Sequence, residues 1–168
     1  MSDDDGSIEY LVFDEAPPVE ADAGRETWKV LVVDDEHEVH RITRLVLEGK
    51  VLAGRKVELL DAWTAEEAAW VMGSEEVACV LLDVVMESDD AGLRLVERIR
   101  NAMGNWQVRI ILRTGQPGQA PENAIIERYE INDYKEKTEL TAQKLITSVT
   151  AALRSYRDIR TIEQSRRG

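Results

Sequence analysis

Two short apolar runs, each ending in acidic residues, constrain the fold of this chain more than any other feature. The first is WKVLVV at Trp28–Val33, which stops at Asp34 and Asp35, and the second is VACVLL at residues 77–82, which stops at Asp83. Uninterrupted runs of this length, rich in Val and Leu, are typical of strands buried on both faces of a parallel sheet. The acids then lie at the carboxyl edge of the sheet, where open α/β folds bind their ligands.

Strand-like and helix-like segments alternate along the rest of the chain. Apolar residues at helical spacing, turn residues and one capping box, formed by Thr64 and Glu67, set the limits of these segments. After the first strand, the predicted elements are helix 36–48, strand 57–60, helix 64–72, strand 77–82, helix 93–103, strand 108–113, helix 122–129, strand 131–134 and helix 138–168. Five strand–helix repeats predict a parallel sheet with helices on both faces.

The last predicted helix is long for a domain of this size. It follows Thr138 and meets no breaker before Gly168, so it would measure about 45 Å at ~1.5 Å per residue. We expect residues 158–168 to project as a linker towards an output region that the sequence lacks. A weak coiled-coil seam, spaced by four and three residues, predicts a homodimer through this helix. The seam consists of Leu145, Val149, Ala152, Tyr156 and Ile159.

Acidic residues are concentrated in residues 1–27. This segment holds nine acids and one base, a net charge of −8, of the −12 carried by the whole chain. The rest has no basic excess, so a nucleic-acid surface is not expected. We predict an acidic extension at 1–27 and a single domain at 28–157. The apolar residues 10–13 leave two interpretations open, a disordered leader or a strand that docks on a groove or a neighbouring chain.

Cysteine use and hydropathy indicate a soluble, cytoplasmic protein. Cys79 is the single cysteine and lies within an apolar strand, which suits a reducing cytosol. No signal peptide precedes the domain, and no apolar run approaches the ~20 residues that a membrane span needs. We therefore expect no membrane partner.

Three acids at neighbouring strand ends require a compensating cation. The acid trio (Asp34, Asp35 and Asp83) would repel at a cost on the order of several kcal/mol in a partly buried site. Either one carboxyl is protonated or a cation is bound. Mg²⁺ suits two carboxylates, a backbone carbonyl and waters, and we expect the carbonyl of Val85 to be the third protein ligand.

Two further polar residues follow the later strands. Thr114 ends the fourth strand with a hydroxyl, and Lys137 follows the fifth with an ammonium. Both would reach the edge that holds the acid trio. Carboxylates, a metal, a hydroxyl and an ammonium together form a site for a tetrahedral dianion such as a phosphoryl group, with Asp83 supplying the attacking oxygen.

With these residues in place, the sequence resembles the receiver domains of two-component response regulators over residues 28–157. The motifs that carry the resemblance are VLVVDDE, Asp83-x-x-Met86 with Gly92 downstream, Thr114 before a small residue, and Asp133-Tyr134-x-x-Lys137. The resemblance implies a flavodoxin-like, doubly wound sheet of five parallel strands in the order 2-1-3-4-5, with helices on both faces and an extended C-terminal helix.

The resemblance also implies roles for individual residues. A sensor histidine kinase or a phosphotransfer protein would phosphorylate Asp83 while the acid trio binds Mg²⁺. Thr114 and Lys137 would then contact the phosphoryl group, and Tyr134 would turn inward behind the hydroxyl. Slow self-dephosphorylation would be the only catalysis, so the chain is not expected to be a dedicated enzyme.

The sequence departs from the family pattern in places. Glu87 and Thr138 stand where the family usually has proline, and the loop after Asp83 is one residue longer. Residues 113–121 and 131–145 resemble a subfamily found in front of larger output regions, including cyclic-di-GMP phosphodiesterases of the HD-GYP type. We therefore expect a covalent output domain in the full-length protein.

Other interpretations stay open at this stage. A phosphatase of the haloacid-dehalogenase kind would need Asp two positions after Asp34, where Glu36 stands, and a pseudo-receiver would bind partners without being phosphorylated. Lys137 is alternatively a surface lysine and Tyr134 an ordinary packing residue. His37 and His40 lie three residues apart near a helix start, so we interpret them as solvated rather than as metal ligands.

Overall fold

A computed structural model describes residues 26–86, 88, 90–115, 121–137 and 141–167. Within these ranges the core is a six-stranded sheet in the order β2-β3-β1-β4-β5-β6. The strands are β1 (Trp28–Val33), β2 (Val51–Leu52), β3 (Arg55–Ala62), β4 (Val77–Asp83), β5 (Arg109–Thr114) and β6 (Asp133–Glu136). The helices are α1 (His37–Leu47), α2 (Ala65–Ser74), α3 (Ala91–Glu97), α4 (Asn123–Arg128) and α5 (Ala142–Arg167), and a π-helical turn (Arg98–Ala102) continues α3.

The sheet confirms the predicted α/β architecture, but the prediction of a five-stranded sheet is wrong, because a sixth strand is added at one edge. The five parallel strands, β3-β1-β4-β5-β6, keep the predicted relative order 2-1-3-4-5. The additional strand, β2, pairs antiparallel with the start of β3, whereas all other pairs are parallel. The turn between them holds Ala53 at φ 48° and Gly54 at φ 88°, and two consecutive left-handed residues are typical of a tight hairpin. Two apolar residues are too short a run to show strand periodicity, so the sequence indicated only the turn.

Each face of the sheet has its own apolar core. Val30 and Val32 of β1 contribute to the core covered by α1 and α5, while Leu31 and Val33 contribute to the core covered by α2 and α3. This division follows from the alternation of side chains along a strand. Every residue of β4 is buried, because this central strand is covered on both faces.

The start of α5 packs on the sheet, which corrects the predicted coiled-coil seam. The first four residues of the predicted seam are buried in the core that α1 also covers. They are Leu145, Val149, Ala152 and Tyr156. Beyond Tyr156, no residue of α5 whose side chain the structure describes is buried. A homodimer through this helix stays a prediction, and of the predicted seam only Ile159 follows the buried positions.

Several predictions fall on parts of the chain outside the described residues. They concern residues 1–25, Glu87, residues 116–120 and Thr138 at the start of the last predicted helix. Across the ranges given above, no helix combines the length and apolar character that crossing a membrane requires.

Candidate functional site

The carboxyl ends of β1 and β4 bring the acid trio together. Val33 and Leu82 are register partners, so Asp34 and Asp83, which follow them directly, are neighbours across the sheet. Both are buried, whereas Asp35 is exposed. One carboxylate oxygen from each of the three acids lies within 4.8 Å of the other two, which concentrates negative charge at this edge.

Lys137 places its ammonium among these acids. Its Nζ lies 3.0 Å from Oδ2 of Asp34, 3.3 Å from Oδ2 of Asp83 and 3.6 Å from Oε1 of Glu36. Burial favours the neutral amine, but the hydrogen bond to Asp34 and the surrounding carboxylate charges outweigh it and raise the pKa of Lys137. The lysine is therefore charged and serves as a fixed cation of the site.

One ammonium does not balance three carboxylates. Burial, as the larger cause, and the charge of Asp34 together raise the pKa of Asp83 from 3.8 to about 6, against the opposing effect of Lys137. The backbone N–H of Val85 also stabilises the charged form, donating to Oδ1 of Asp83 at 3.3 Å. The site thus retains an excess of negative charge.

This donor set fits a hard divalent cation. The acid trio offers oxygen ligands only, which Mg²⁺ prefers, and the exposed side of Asp35 leaves room for the waters that Mg²⁺ retains. A bound divalent ion would offset the excess negative charge that the three carboxylates leave over the ammonium of Lys137. Val85 lies two residues after Asp83, and its carbonyl as a third protein ligand stays a prediction.

Gly92 fixes the backbone on which Asp83 is presented. Its N–H donates to the carbonyl of Val84 at 3.0 Å. A Cβ at this position would lie 2.8 Å from Cα of Val84 and 2.9 Å from its carbonyl oxygen, and closer still to the carbonyl oxygen of Asp83. The start of α3 can approach the end of β4 this closely because Gly92 has no side chain.

Thr114 and Tyr134 lie near the same edge, on the face covered by α2 and α3. Thr114 is fully buried at the end of β5. Leu112, two residues before it, is the register partner of Tyr134, and Tyr134 packs against the core on that face. Because positions two apart share a face, the aromatic ring lies one step behind the hydroxyl along the strands.

The interpretation of His40 as solvated is wrong. Its ring is buried, with Nδ1 2.6 Å from Oδ1 of Asp61 and Nε2 2.7 Å from the carbonyl oxygen of Asp34, and it stacks on Trp63. The ring ties α1 to the backbone of a site acid. The buried residues of α1 are His40, Thr43 and Leu47, which follow one another at helical spacing. This spacing could have indicated that His40 is buried.

Sequence reasoning also missed Arg113, the residue before Thr114. Its guanidinium is buried, and Nη1 donates to Oγ1 of Thr43 at 3.1 Å. Its Nε and Nη2 have no hydrogen-bond partner among the described residues. Burial lowers the pKa of Arg113, while the charges of Asp34 and Asp83 act in the opposite direction. The available signal was an arginine directly after the apolar run at residues 110–112.

Known proteins are similar to this chain in sequence. A family model described as the response regulator receiver domain matches residues 30–150. A curated relative, the 3'3'-cGAMP-specific phosphodiesterase 2 of Vibrio cholerae serotype O1, is 51% identical over 145 residues. That match covers 86% of this chain but only 28% of the relative, so the chain spans little more than a quarter of that protein's length.

Solved structures show the same fold. A CheY-like response regulator receiver domain protein from Methanospirillum hungatei JF-1 matches with a TM-score of 0.64 and 21% identity, over 79% of this chain and 98% of that one. The signal receiver domain of an HD domain-containing protein from Pseudomonas fluorescens Pf-5 matches with a TM-score of 0.64 and 22% identity, over 79% and 99% of the two chains.

Proposed function

This chain belongs to the response regulator receiver domain family, and on that premise we propose that it is a switch that accepts a phosphoryl group on Asp83. The observation that carries the proposal is the ammonium of Lys137, which lies 3.0 Å from Asp34 and 3.3 Å from Asp83 at the end of the central strand. A nucleophilic carboxylate next to a fixed cation is suited to phosphoryl transfer, whose transition state gathers negative charge on the phosphoryl oxygens.

The transfer step assigns a task to each side chain. A carboxylate oxygen of Asp83 forms a bond to phosphorus while the bond to the donor breaks, and the donor keeps the electron pair. Lys137 neutralises charge on the phosphoryl oxygens, and Thr114 donates its hydroxyl to one of them. The acid trio, with the carbonyl of Val85, would hold Mg²⁺, which would supply further positive charge when bound.

The partners follow from this chemistry. A sensor histidine kinase or a phosphotransfer protein supplies the phosphoryl group. Thr114 moves towards the phosphoryl group and leaves space into which Tyr134 turns. This change alters the surface formed by α4, β6 and α5. The curated relative is a phosphodiesterase that extends well beyond the matched region, so in a longer protein α5 would carry the change to an output region.

A homodimer would use the part of α5 after Tyr156. A cytoplasmic location stays a prediction.

Phosphorylation with a small donor tests the proposal. Incubation with acetyl phosphate and Mg²⁺ should add a single phosphoryl group to the chain, measured by intact mass, and Asp83→Asn should abolish the addition. Asp158→Asn, a change at an acid on α5 remote from the site, serves as the matched control and should label like the unmodified protein. Equal labelling of Asp83→Asn contradicts the proposal.

The same assay separates the alternatives. Steady turnover of a generic phosphate ester by the unmodified chain would support an aspartyl-phosphate phosphatase. Absence of both labelling and Mg²⁺ binding would support a pseudo-receiver that only binds partners.

A further inference from the structure

We propose that Arg113 is a positioning residue of the acid site, a buried positive charge that weakens Mg²⁺ binding and strengthens phosphoryl binding at Asp83. The inference rests on the proposed function and extends it to a residue outside the acid trio and its lysine. Arg113 is not among the residues to which the family resemblance gives a role.

Sheet geometry places Arg113 in line with two acids. Asp83 and Arg113 are register partners in β4 and β5, and Asp34 lies next to Asp83 on the other side. Alternation along the strands puts these three residues on one face, because Val32, Leu81 and Ile111, two positions before them, all belong to the core under α1 and α5. Neighbouring strands are about 4.8 Å apart, so the backbone of Arg113 lies one strand away from the backbone of Asp83, the phosphoryl acceptor.

The hydrogen bonds of Arg113 do not account for its burial. A guanidinium has five N–H donors, and here the bond to Thr43 engages only Nη1, while Nε and Nη2 have no partner among the described residues. An arginine keeps its proton even when it is buried. The charges of Asp34 and Asp83 favour its charged form and offset part of the cost of burial, and by the same interaction Arg113 acts on them.

A charge count gives the direction of that action. The acid trio against Lys137 leaves a formal charge of −2, and Arg113 reduces it to −1. A less negative pocket attracts a divalent cation less strongly. Phosphorylation replaces the single charge of Asp83 with about −2, so the same positive charge favours the phosphorylated state. Arg113 therefore shifts the site from retaining metal towards accepting phosphoryl.

Arg113→Met tests this assignment because it removes the charge while keeping a long side chain. Mg²⁺ affinity is measured by calorimetric titration, and affinity for fluoroberyllate, a phosphoryl analogue, is measured in saturating Mg²⁺ by tryptophan fluorescence. We expect the Mg²⁺ dissociation constant to fall about tenfold and the fluoroberyllate constant to rise about tenfold, as a unit charge nearby implies. A packing defect would weaken both ligands, so the opposite signs identify the electrostatic role.

Three matched variants isolate the charge. Arg113→Lys keeps it and should leave both constants close to the original values. Thr43→Val removes only the hydrogen bond and should do the same. Arg109→Met deletes another buried arginine from the same strand and face, four residues from Arg113, and should change neither constant. Should Arg113→Met fail to fold, Arg113→Gln replaces it as the uncharged variant.

Two sets of results would overturn the inference in distinguishable ways. If Arg113→Met folds and moves both constants in the same direction, or moves neither, the inference fails while the proposed function stands. If the unmodified protein does not bind fluoroberyllate, or Asp83→Asn binds it equally well, the proposed function fails and the inference fails with it.

Discussion

At the amino end of β5 the guanidinium of Arg100 donates to four backbone carbonyls, whereas at the carboxyl end the guanidinium of Arg113 donates to one hydroxyl. Both side chains are buried, so the difference lies in what holds them. The carbonyl acceptors of Arg100 belong to Tyr129, Asn105, Val108 and Glu130 and lie at 2.7–3.0 Å.

The comparison distinguishes two edges of the sheet. The amino edge, near Arg100, is the structural edge, and the carboxyl edge, with Arg113 and the acid trio, is the functional edge. Around Arg100, hydrogen bonds join the π-helical turn to the start of β5 and to the end of α4, and a change there should alter stability. Around Arg113, two of the three guanidinium nitrogens have no hydrogen-bond partner among the described residues, and the charges of Asp34 and Asp83 act on the guanidinium instead. These electrostatic interactions change when a cation or a phosphoryl group binds, so a change there should alter ligand binding.

Arg100→Met is the strongest test of the structural edge. Its four carbonyl acceptors would lose their donors in a buried setting, and we expect the free energy of unfolding to fall by about 4 kcal/mol. Urea denaturation measures the loss. The affinity of the folded variant for Mg²⁺ should not change, because the acid trio lies at the opposite end of the strands.

Arg98→Met is the matched control, since Arg98 begins the same turn but is exposed and pairs with Glu66 at 3.1 Å. An exposed ion pair contributes little, so its loss should cost less than about 1 kcal/mol. A similar loss in both variants, or a weakened Mg²⁺ affinity in Arg100→Met, would remove the distinction between the two edges.

Gly92→Ala should affect both stability and binding, because Gly92 lies at the functional edge and is also closely packed. The added Cβ has to displace the carbonyl of Asp83 or the backbone of Val84, and overpacking of this kind costs about 2–3 kcal/mol. The shifted carboxylate should also bind Mg²⁺ more weakly. Urea denaturation and calorimetric titration measure the two effects.

Gly73→Ala provides the opposite expectation for the same chemical change. Gly73 lies in α2, and nothing lies within 4 Å of a Cβ there. Alanine is favoured over glycine inside a helix by about 0.5–1 kcal/mol, so this variant should be more stable. Stabilisation by Gly92→Ala would show that α3 can move away from β4 without cost.

The two edges also differ in how far the sequence predicted them. The functional edge was predictable because apolar runs mark the buried strands and polar residues mark their ends, so the sequence alone places Asp34, Asp83 and Lys137 together. This inference needs only the geometry of a parallel sheet. The short strand β2 was not predictable, since two residues carry no periodicity.

Buried polar residues were the least predictable part of the site. His40 and Arg113 are polar, and a polar residue is interpreted as exposed unless its partner is known. Their partners, Asp61 and Thr43, lie on other elements and become neighbours only after folding. The helical stripe through His40 and the apolar surroundings of Arg113 were the only local signals.

Asp83→Asn tests the functional edge with a smaller expected change in stability than Arg100→Met or Gly92→Ala. In the absence of divalent cations, the pKa of Asp83 is about 6 in the folded chain and 3.8 as its ordinary value. The folded state therefore binds more protons than the unfolded state between these values, so the free energy of unfolding falls as pH rises through this window. At pH values above this window the charged carboxylate of Asp83 lowers the free energy of unfolding, whereas an asparagine side chain carries no charge. We expect the variant to be more stable than the unmodified protein by about 1–2 kcal/mol at neutral pH.

The pH dependence distinguishes this effect from ordinary packing. Urea denaturation in a chelator at about pH 4.5 and at about pH 7.5 should show the advantage of Asp83→Asn growing with pH, because only the unmodified protein loses stability across the window. Asp158→Asn, at an exposed position on α5, should show no such growth. An advantage that is constant with pH, or that shrinks as pH rises, would mean that the charge of Asp83 is already balanced by its neighbours. In that case the carboxyl edge would be as fully satisfied as the amino edge, and the contrast between Arg100 and Arg113 would lose its functional meaning.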